Sequence, residues 1–172
     1  MKRLYDVCIS LVCVLAISAG HSSIAASSTI ESVKTAAANA ASQSPNDILP
    51  GGGVVIVSAA EGYAWRVWPG GKIEYSFDSS RTWEVQNSGV TTDLTAGSAP
   101  SGKVCWVVGK AGTVLLTTDR GRHWKRLASP IKEDVGGVFA QDGKHASIWN
   151  ASHKQSFGTN DGGVTWTPND DK

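Results

Sequence analysis

The octapeptide Thr159-Asn-Asp-Gly-Gly-Val-Thr-Trp166 decides the fold of this 172-residue chain, because it occurs three times. The earlier copies are Ser76-Phe-Asp-Ser-Ser-Arg-Thr-Trp83 and Thr117-Thr-Asp-Arg-Gly-Arg-His-Trp124. The aspartates of the three copies, Asp78, Asp119 and Asp161, are 41 and then 42 residues apart. A period of about 40 residues is typical of one four-stranded blade of a β-propeller.

Each copy is predicted to form a tight turn between two strands. An Asp at the first position of such a turn accepts hydrogen bonds from the backbone N–H groups ahead of it. Gly121 and Gly163, two residues after the Asp, tolerate a positive φ angle. The Trp that ends each copy can bury its ring against the neighbouring repeat, while its indole N–H bonds a carbonyl at the rim. Three equivalent turns do not make three active sites, so the aspartates are interpreted as structural.

The repeat extends upstream of the octapeptide. Thirteen residues before the first two aspartates stand Trp65 and Trp106, and Ile148 takes this place in the third copy. Each unit therefore is predicted to contain four short strands. The residues predicted to form the turns are Asp78, Asp119, Asp161, Gly121 and Gly163. Those predicted to lie in the core are Trp83, Trp106, Trp124 and Trp166.

The pattern Ser/Thr-x-Asp-x-Gly-x-x-Trp resembles the Asp box, or bacterial neuraminidase repeat, of β-propellers, and only the first copy departs from it, at Ser80. With the flanking Trp and Gly motifs, residues 54–168 resemble the photosystem II assembly and stability factor family. The last hundred residues are also similar to the extracytoplasmic repeat domain of bacterial anti-sigma-factor-like proteins. These resemblances imply propeller-type blades and a role in protein binding or envelope assembly.

The predicted fold class is all-β, with three four-stranded blades of about 41 residues. A closed propeller typically has 4 to 8 blades, so three blades form a partial or self-associated propeller. Open blades would expose two sheet flanks rich in Trp and Val, and we expect a partner chain or a second copy to cover them. Three repeats of four strands are also compatible with a β-trefoil-like closure, which stays open as an alternative.

Four segments are predicted along the chain: a signal peptide (1–26), a Ser/Ala-rich linker (27–52), the three-repeat domain (53–168) and a polar tail (169–172). Lys2 and Arg3 precede an apolar run from Val7 to Ala19, the pattern of an export signal. Thirteen apolar residues are too few to span a bilayer, which takes about 20. We therefore expect a periplasmic or secreted protein without stable membrane insertion after cleavage.

Charge excludes some partners and suggests another. Removal of residues 1–26 leaves 14 basic and 14 acidic residues, so no global attraction to nucleic acid is expected. Four basic residues, Arg120, Arg122, Lys125 and Arg126, flank the second octapeptide. They form either a solvated edge or a contact surface for an acidic protein partner.

The sequence predicts no enzyme and no cofactor. No glycosidase motif accompanies its carboxylates, and its histidines and cysteines lack the spacing of metal ligands. Cys105, the one cysteine after residue 26, lies among apolar residues and is expected to be a buried, inert thiol. The side chains of the types that glycosidase sites use are Glu61, Glu74, Glu84, Glu133, Tyr63, Tyr75 and Arg66.

A carbohydrate-binding module or a degenerate sialidase-type glycosidase is the alternative function. It would use exposed Trp65, Trp68 or Trp149 as sugar-stacking platforms. Trp68 is the strongest candidate, because it precedes the turn Pro69-Gly-Gly71 and Gly109 takes its place in the second unit.

Overall fold

The computed structural model describes residues 46–169, which form three antiparallel sheets in chain order. The predicted signal peptide, most of the predicted linker and nearly all of the tail lie outside these residues. Within the described range, no helix has the length and apolar character needed to span a membrane.

Each sheet is one repeat, folded as a meander of neighbouring strands, and we call the sheets blades 1, 2 and 3. Blade 1 consists of β1 (Asn46–Ile48), β2 (Val54–Val57), β3 (Ala64–Val67), β4 (Ile73–Ser76) and β5 (Glu84–Gln86). Blade 2 consists of β6 (Leu94–Ser98), β7 (Cys105–Gly109), β8 (Val114–Thr117) and β9 (Lys125–Arg126). Blade 3 consists of β10 (Val135–Ala140), β11 (Ala146–Asn150), β12 (Ser156–Thr159) and β13 (Thr167–Pro168). The predicted all-β blades are confirmed, and the β-trefoil alternative is wrong because each repeat completes its own separate sheet.

Blade 1 has a fifth strand that lies in the predicted linker. β1 pairs with β2 in antiparallel register, with Ile48 opposite Val54. A tight turn joins the two strands, in which the Leu49 N–H donates to the Gly53 carbonyl at 2.6 Å. Gly51 and Gly52 adopt positive φ angles of 89° and 80° there. The ordered domain therefore begins before residue 53, because this glycine-rich stretch makes a hairpin turn.

Blade 2 supplies both halves of the core, since alternate residues of a strand face opposite sides of a sheet. Val107 and Leu115 belong to the apolar cluster that blade 2 shares with blade 1. Trp106 and Val114 belong to the cluster that it shares with blade 3. All four side chains are fully buried. The middle blade is thus covered on both faces, and each terminal blade has one face that no other part of residues 46–169 covers, which we call its free face.

Strand pairing defines which residues are equivalent in the three blades. We call the three octapeptides, residues 76–83, 117–124 and 159–166, the first, second and third boxes. Ala64, Cys105 and Ala146 each pair with the Ser or Thr that begins a box. The residue after each of these is Trp65 in blade 1, Trp106 in blade 2 and Ser147 in blade 3, so Ser147 is the equivalent of the two tryptophans. The assignment of Ile148 to that place is wrong, because the β11–β12 connection (151–155) is one residue longer than the β7–β8 connection (110–113).

The free faces of the terminal blades carry polar side chains at positions that are apolar inside the stack. On blade 1, Arg66 and Glu74 occupy the places of Val107 and Leu115 and form an ion pair. On blade 3, Ser147 and Gly158 replace a buried aromatic or aliphatic pair of the other blades. The free faces are therefore mixed. Polar side chains, which are common on the outer faces of terminal repeats, interrupt the flanks that were expected to be rich in Trp and Val, while Val57, Val85 and Trp83 lie beside the ion pair on blade 1.

The tryptophans divide into two groups. Trp65 and Trp106 are fully buried, and Trp106 donates its indole N–H to the Asp142 carbonyl at 2.9 Å. The three box tryptophans are only half-buried at the blade edges. Trp124 and Trp166 pack against the two core clusters, whereas Trp83 lies on the free face of blade 1. The core role predicted for Trp83 is wrong, because Trp83 belongs to neither core cluster and no blade precedes blade 1 among residues 46–169.

The second and third box turns also contact the preceding blade. A Cβ atom added at Gly121 would collide with the Gln86 side chain, and one at Gly163 would lie 2.6 Å from Leu127. Ser80, at the equivalent position of the first box, also has a positive φ angle, 65° compared with 78° at Gly121. Unlike Gly121, Ser80 is exposed to solvent. Glycine at the fifth position of a box therefore permits both the turn and the contact with the preceding blade. The first box, which makes no such contact within the described residues, has Ser80 at this position.

We expect Ser80→Gly to raise the free energy of unfolding by about 0.5–1 kcal/mol, because relief of left-handed strain exceeds the added entropy of the unfolded chain. The reciprocal change, Gly121→Ser, is expected to lower it by about 2–4 kcal/mol, since strain and overpacking add. Urea unfolding of both variants measures these shifts. Equal effects at the two positions would contradict a role of the glycine in blade contact.

Candidate functional site

The box turns are built in the same way in all three blades. In blade 3, the Asp161 Oδ1 atom accepts backbone N–H groups of Val164 and Thr165, both at 3.0 Å. The Thr159 hydroxyl donates to the same carboxylate at 2.9 Å and accepts the Gly163 N–H at 2.9 Å. Asp78 and Asp119 make the corresponding bonds within their own blades. The three carboxylates are therefore each occupied in a separate turn.

These hydrogen bonds lower the pKa of each carboxyl group. The Thr165 hydroxyl and backbone N–H hold the pKa of Asp161 at about 2, and those of Thr82 do the same for Asp78. Burial raises the pKa of Asp119, but bonds from His123 and Thr117 outweigh it and bring that pKa to about 2 as well. A carboxyl group with so low a pKa remains ionised and does not act as a general acid near neutral pH.

A basic cavity lies beside the second box. It has a volume of about 360 Å³ and is lined by Lys103, Thr118, Asp119, Arg120 and Arg122. The acidic member, Asp119, is already bonded within its turn and to the His123 ring at 2.6 Å. Three cationic side chains therefore surround one cavity whose own carboxylate is occupied.

The two loops that form this cavity are held by blade 1 and by each other. The Arg120 N–H donates to the Lys103 carbonyl at 3.0 Å, which joins the box turn to the loop before β7. The Tyr63 ring packs on Gly102, where an added Cβ would be 2.5 Å from the ring. The Arg120 guanidinium lies 5.9 Å from the centre of the same ring. The cationic groups are thus placed by packing at the seam of blades 1 and 2.

The structure brings together only part of the predicted basic cluster. Arg120 and Arg122 line the cavity, but Lys125 and Arg126 lie on β9, opposite Leu116 and Leu115. Successive strand residues face opposite sides, so these two do not share one surface. Lys103 joins the site although it is sixteen residues before Asp119 in the sequence. Lys103 reaches the cavity because the loop before β7 meets the second box turn.

The candidate sugar platforms are engaged in other contacts. Trp65 is fully buried and not exposed as proposed. Trp68 is half-buried, its ring would meet a Cβ on Gly53 at 2.6 Å, and its indole N–H donates to Glu74 at 2.9 Å. Trp149 lies across Gly137 and stacks with the His153 ring, with 6.2 Å between ring centres. A flat and unoccupied aromatic surface is therefore missing at these three positions.

Other candidate chemical groups are dispersed or inaccessible. Glu74 is paired with Arg66 and with Lys72 at 3.0 Å. Burial raises the pKa of the Cys105 thiol well above its usual value, as fits a fully buried side chain. Between residues 46 and 169, no group of three or more His, Cys, Asp or Glu side chains is placed to hold a metal ion.

The box carboxylates predict a dependence of stability on pH. Their pKa values, about 2 in the folded protein, lie below the value of about 3.9 for Asp in an unfolded chain. Their contribution is therefore complete above about pH 5 and is lost as the pH falls towards 2. We expect the urea midpoint to fall over this range, and Asp161→Asn to lower the midpoint at pH 7 and flatten its acid dependence.

Glu61→Gln is the matched control for Asp161→Asn, because it removes an exposed carboxylate outside the box turns. An unchanged acid dependence in Asp161→Asn would show that the turn carboxylate does not stabilise the fold.

The architecture has counterparts among solved structures. The chain is similar to a structure described as YCF48 bound to D1 peptide, with 19% identity and a TM-score of 0.59 over 74% of this chain and 43% of that chain. It is also similar to YCF48 from Cyanidioschyzon merolae, with 25% identity and a TM-score of 0.59 over 72% and 39% of the two chains. The chain thus spans about two-fifths of the length of each.

No protein-family model and no curated protein matches the sequence. The two solved structures are β-propellers, which agrees with the predicted fold class, and they fit the resemblance to the photosystem II assembly factor family. The resemblances to the Asp box and to anti-sigma-factor-like proteins stay predictions. These comparisons place the chain among proteins with propeller-type blades.

Proposed function

We propose that this protein is an exported, non-enzymatic binding module that recognises an acidic segment of a protein partner, in the manner of an assembly factor. The observation that carries this proposal is the basic cavity formed by Lys103, Arg120 and Arg122. Between residues 46 and 169, none of these three side chains forms an ion pair within 4.0 Å. They are available to carboxylates of a ligand.

The geometry favours a peptide over a diffuse polyanion. Arginine binds carboxylate through two parallel N–H groups, and two arginines with a lysine can hold neighbouring carboxylates of one segment. The mature chain has a formal charge of zero, so the attraction is confined to this site. A local cationic cavity on a neutral protein selects a partner by charge position and not by total charge.

The comparison with known structures supports a protein partner. One solved YCF48 is bound to a D1 peptide, which is a property of that protein. At 19% identity the likeness to it shows the fold alone. Peptide binding by this chain is therefore our proposal, and the basic cavity is where we place it.

The absence of catalysis belongs to the same proposal. The box carboxylates are held ionised in three separate turns, and Glu74 is held by Arg66 and Lys72. A glycosidase needs a protonated acid and a second carboxylate across one substrate. The contacts of Trp65 and Trp68 equally disfavour the carbohydrate-binding alternative.

Export to the periplasm or beyond rests on the residues before the described range. The basic end at Lys2 and Arg3 and the apolar run from Val7 to Ala19 support it. Cell fractionation with N-terminal sequencing of the recovered chain tests this part. Recovery in the cytoplasm with Lys2 still present would contradict it.

The binding proposal predicts a difference between two matched pairs of basic residues. We expect Arg120→Glu with Arg122→Glu to weaken binding of an acidic peptide, such as a tetra-glutamate sequence, at least tenfold, which is about 1.4 kcal/mol. Lys125→Glu with Arg126→Glu changes the charge equally but outside the cavity, and should weaken binding far less. Fluorescence anisotropy of a labelled peptide measures both, at two salt concentrations because exposed charges are screened.

Equal losses in the two double variants would show that only net charge matters and would remove the cavity from the proposal. Failure of wild-type protein to prefer the acidic peptide over a neutral one of the same length would overturn acidic-peptide binding altogether.

A further inference from the structure

The two contacts between neighbouring blades follow one pattern, in which the box turn of a blade packs on the outer strand of the blade before it. Gln86, at the end of β5, accepts the Trp124 indole N–H at 3.2 Å. Leu127, directly after β9, holds the equivalent place and lies against Gly163 of the next box. Each contact therefore has a box half and a receiving half.

Blade 1 carries a box half that has no blade before it among residues 46–169. Its Trp83 is half-buried over the Arg66 guanidinium, which lies 4.3 Å from the ring centre. Among residues 46–169, the Trp83 indole N–H meets no acceptor, whereas the indoles of Trp124 and Trp166 bond the preceding blade at 3.2 and 2.9 Å. The first box thus presents an unused donor on a free face.

Blade 3 carries a receiving half on which no blade packs among residues 46–169. The Asn169 N–H donates to the Ser156 carbonyl at 2.9 Å, as the Leu127 N–H donates to the Val114 carbonyl at 2.9 Å. Asn169 is therefore the counterpart of Leu127 and of Gln86. Like Gln86, it ends in an amide whose oxygen can accept an indole N–H.

The side chains of the two free faces differ in size from those at the equivalent positions inside the stack. They are smaller on blade 3 and larger on blade 1. On blade 3, Ser147 and Gly158 leave a cavity of about 270 Å³ that Phe139 borders. On blade 1, the paired Arg66 and Glu74 are larger than the valine and leucine at the same places in blade 2. One face has lost volume and the other has gained it, so they are complementary in shape.

Large exposed apolar side chains are found in the same two blades. Within the described range, all large exposed ones lie in blades 1 and 3, and blade 2 has none: Ile48, Val57, Phe77, Val85, Phe139 and Val164. Val57 and Val85 lie on the free face of blade 1, since they pair with Ala64 and Glu74. On blade 3, Phe139 lies on the free face, opposite Ser147. Exposed apolar groups on the two free faces mark association surfaces.

We propose that two copies of this chain associate head to tail, so that the free face of blade 3 in each copy receives the free face of blade 1 in the other. The two seams are equivalent by a twofold axis, and together the copies close a ring of six blades. Six blades lie within the 4 to 8 of closed propellers. This proposal uses residues outside the basic cavity and stands apart from the peptide-binding proposal.

The buried ion pair at each seam is compatible with association. Glu74 already accepts bonds from Arg66, Lys72 and the Trp68 indole N–H. A pair that is satisfied before association has fewer open groups to desolvate than a lone charge. The hydroxyls and amides of blade 3, such as those of Ser147 and Asn169, supply partners for the remaining donors.

Light scattering on the purified full chain tests the proposal. The measured quantity is the ratio of the mass of the native protein to the mass of the denatured chain. We expect a ratio of 2 for the wild type. Ser147→Arg places a second cation against Arg66 of the other copy. Val85→Arg adds an unpaired cation to the blade 1 face of the seam, because its cross-strand partner Glu74 is already held by Arg66 and Lys72. Each variant should therefore reduce the ratio to 1. Ala128→Arg, at an exposed position on blade 2, is the matched control and should keep it at 2.

Circular dichroism shows whether each variant is folded, and only folded variants count. An additional mixing experiment defines the polarity of the contact: Ser147→Arg and Val85→Arg together should form a 1:1 dimer, because one of its two seams is unaltered. A wild-type ratio of 1 at micromolar concentration, a ratio above 2, or a dimer disrupted by only one of the two variants would overturn the head-to-tail ring.

Discussion

The contact on which the structure depends is the packing of each box turn against the outer strand of the blade before it. The turn is closed by its own Asp and Thr, and this closure places a glycine and a half-buried Trp at the blade edge. Gln86 and Leu127 fill the space that the glycines leave. A single turn motif therefore connects local backbone geometry to the stacking of whole sheets.

Stacking explains how three blades form a folded unit without a complete ring. Blade 2 is covered on both faces by apolar clusters, and the terminal blades carry polar residues where the stack ends. The Arg66–Glu74 pair and the small residues Ser147 and Gly158 stand at positions that are apolar within the stack. These substitutions limit exposed apolar area, and they also give the two ends unlike shapes.

The proposed binding site lies in the loops at the seam between blades 1 and 2. The basic cavity lies where the loop before β7 meets the second box, with Tyr63 of blade 1 packed beneath the loop. A rigid sheet stack holds charged loop residues in fixed positions, which is how repeat proteins commonly present binding surfaces. Asp119, the box aspartate beside this cavity, is bonded within its own turn and helps to hold that surface in place.

The sequence by itself determined the three repeats, the four strands in each and the turn chemistry of Asp78, Asp119 and Asp161, because these depend on residues close together along the chain. Only the tertiary structure decided which faces are free, the strand β1, the position of Trp83 on a free face, the burial of Trp65 and the position of Lys103 at the cavity. Those features depend on which blade neighbours which, and on an extra residue between β11 and β12 that shifts the alignment. Contacts between repeats join positions about 40 residues apart, and the spacing of motifs along one chain does not report them.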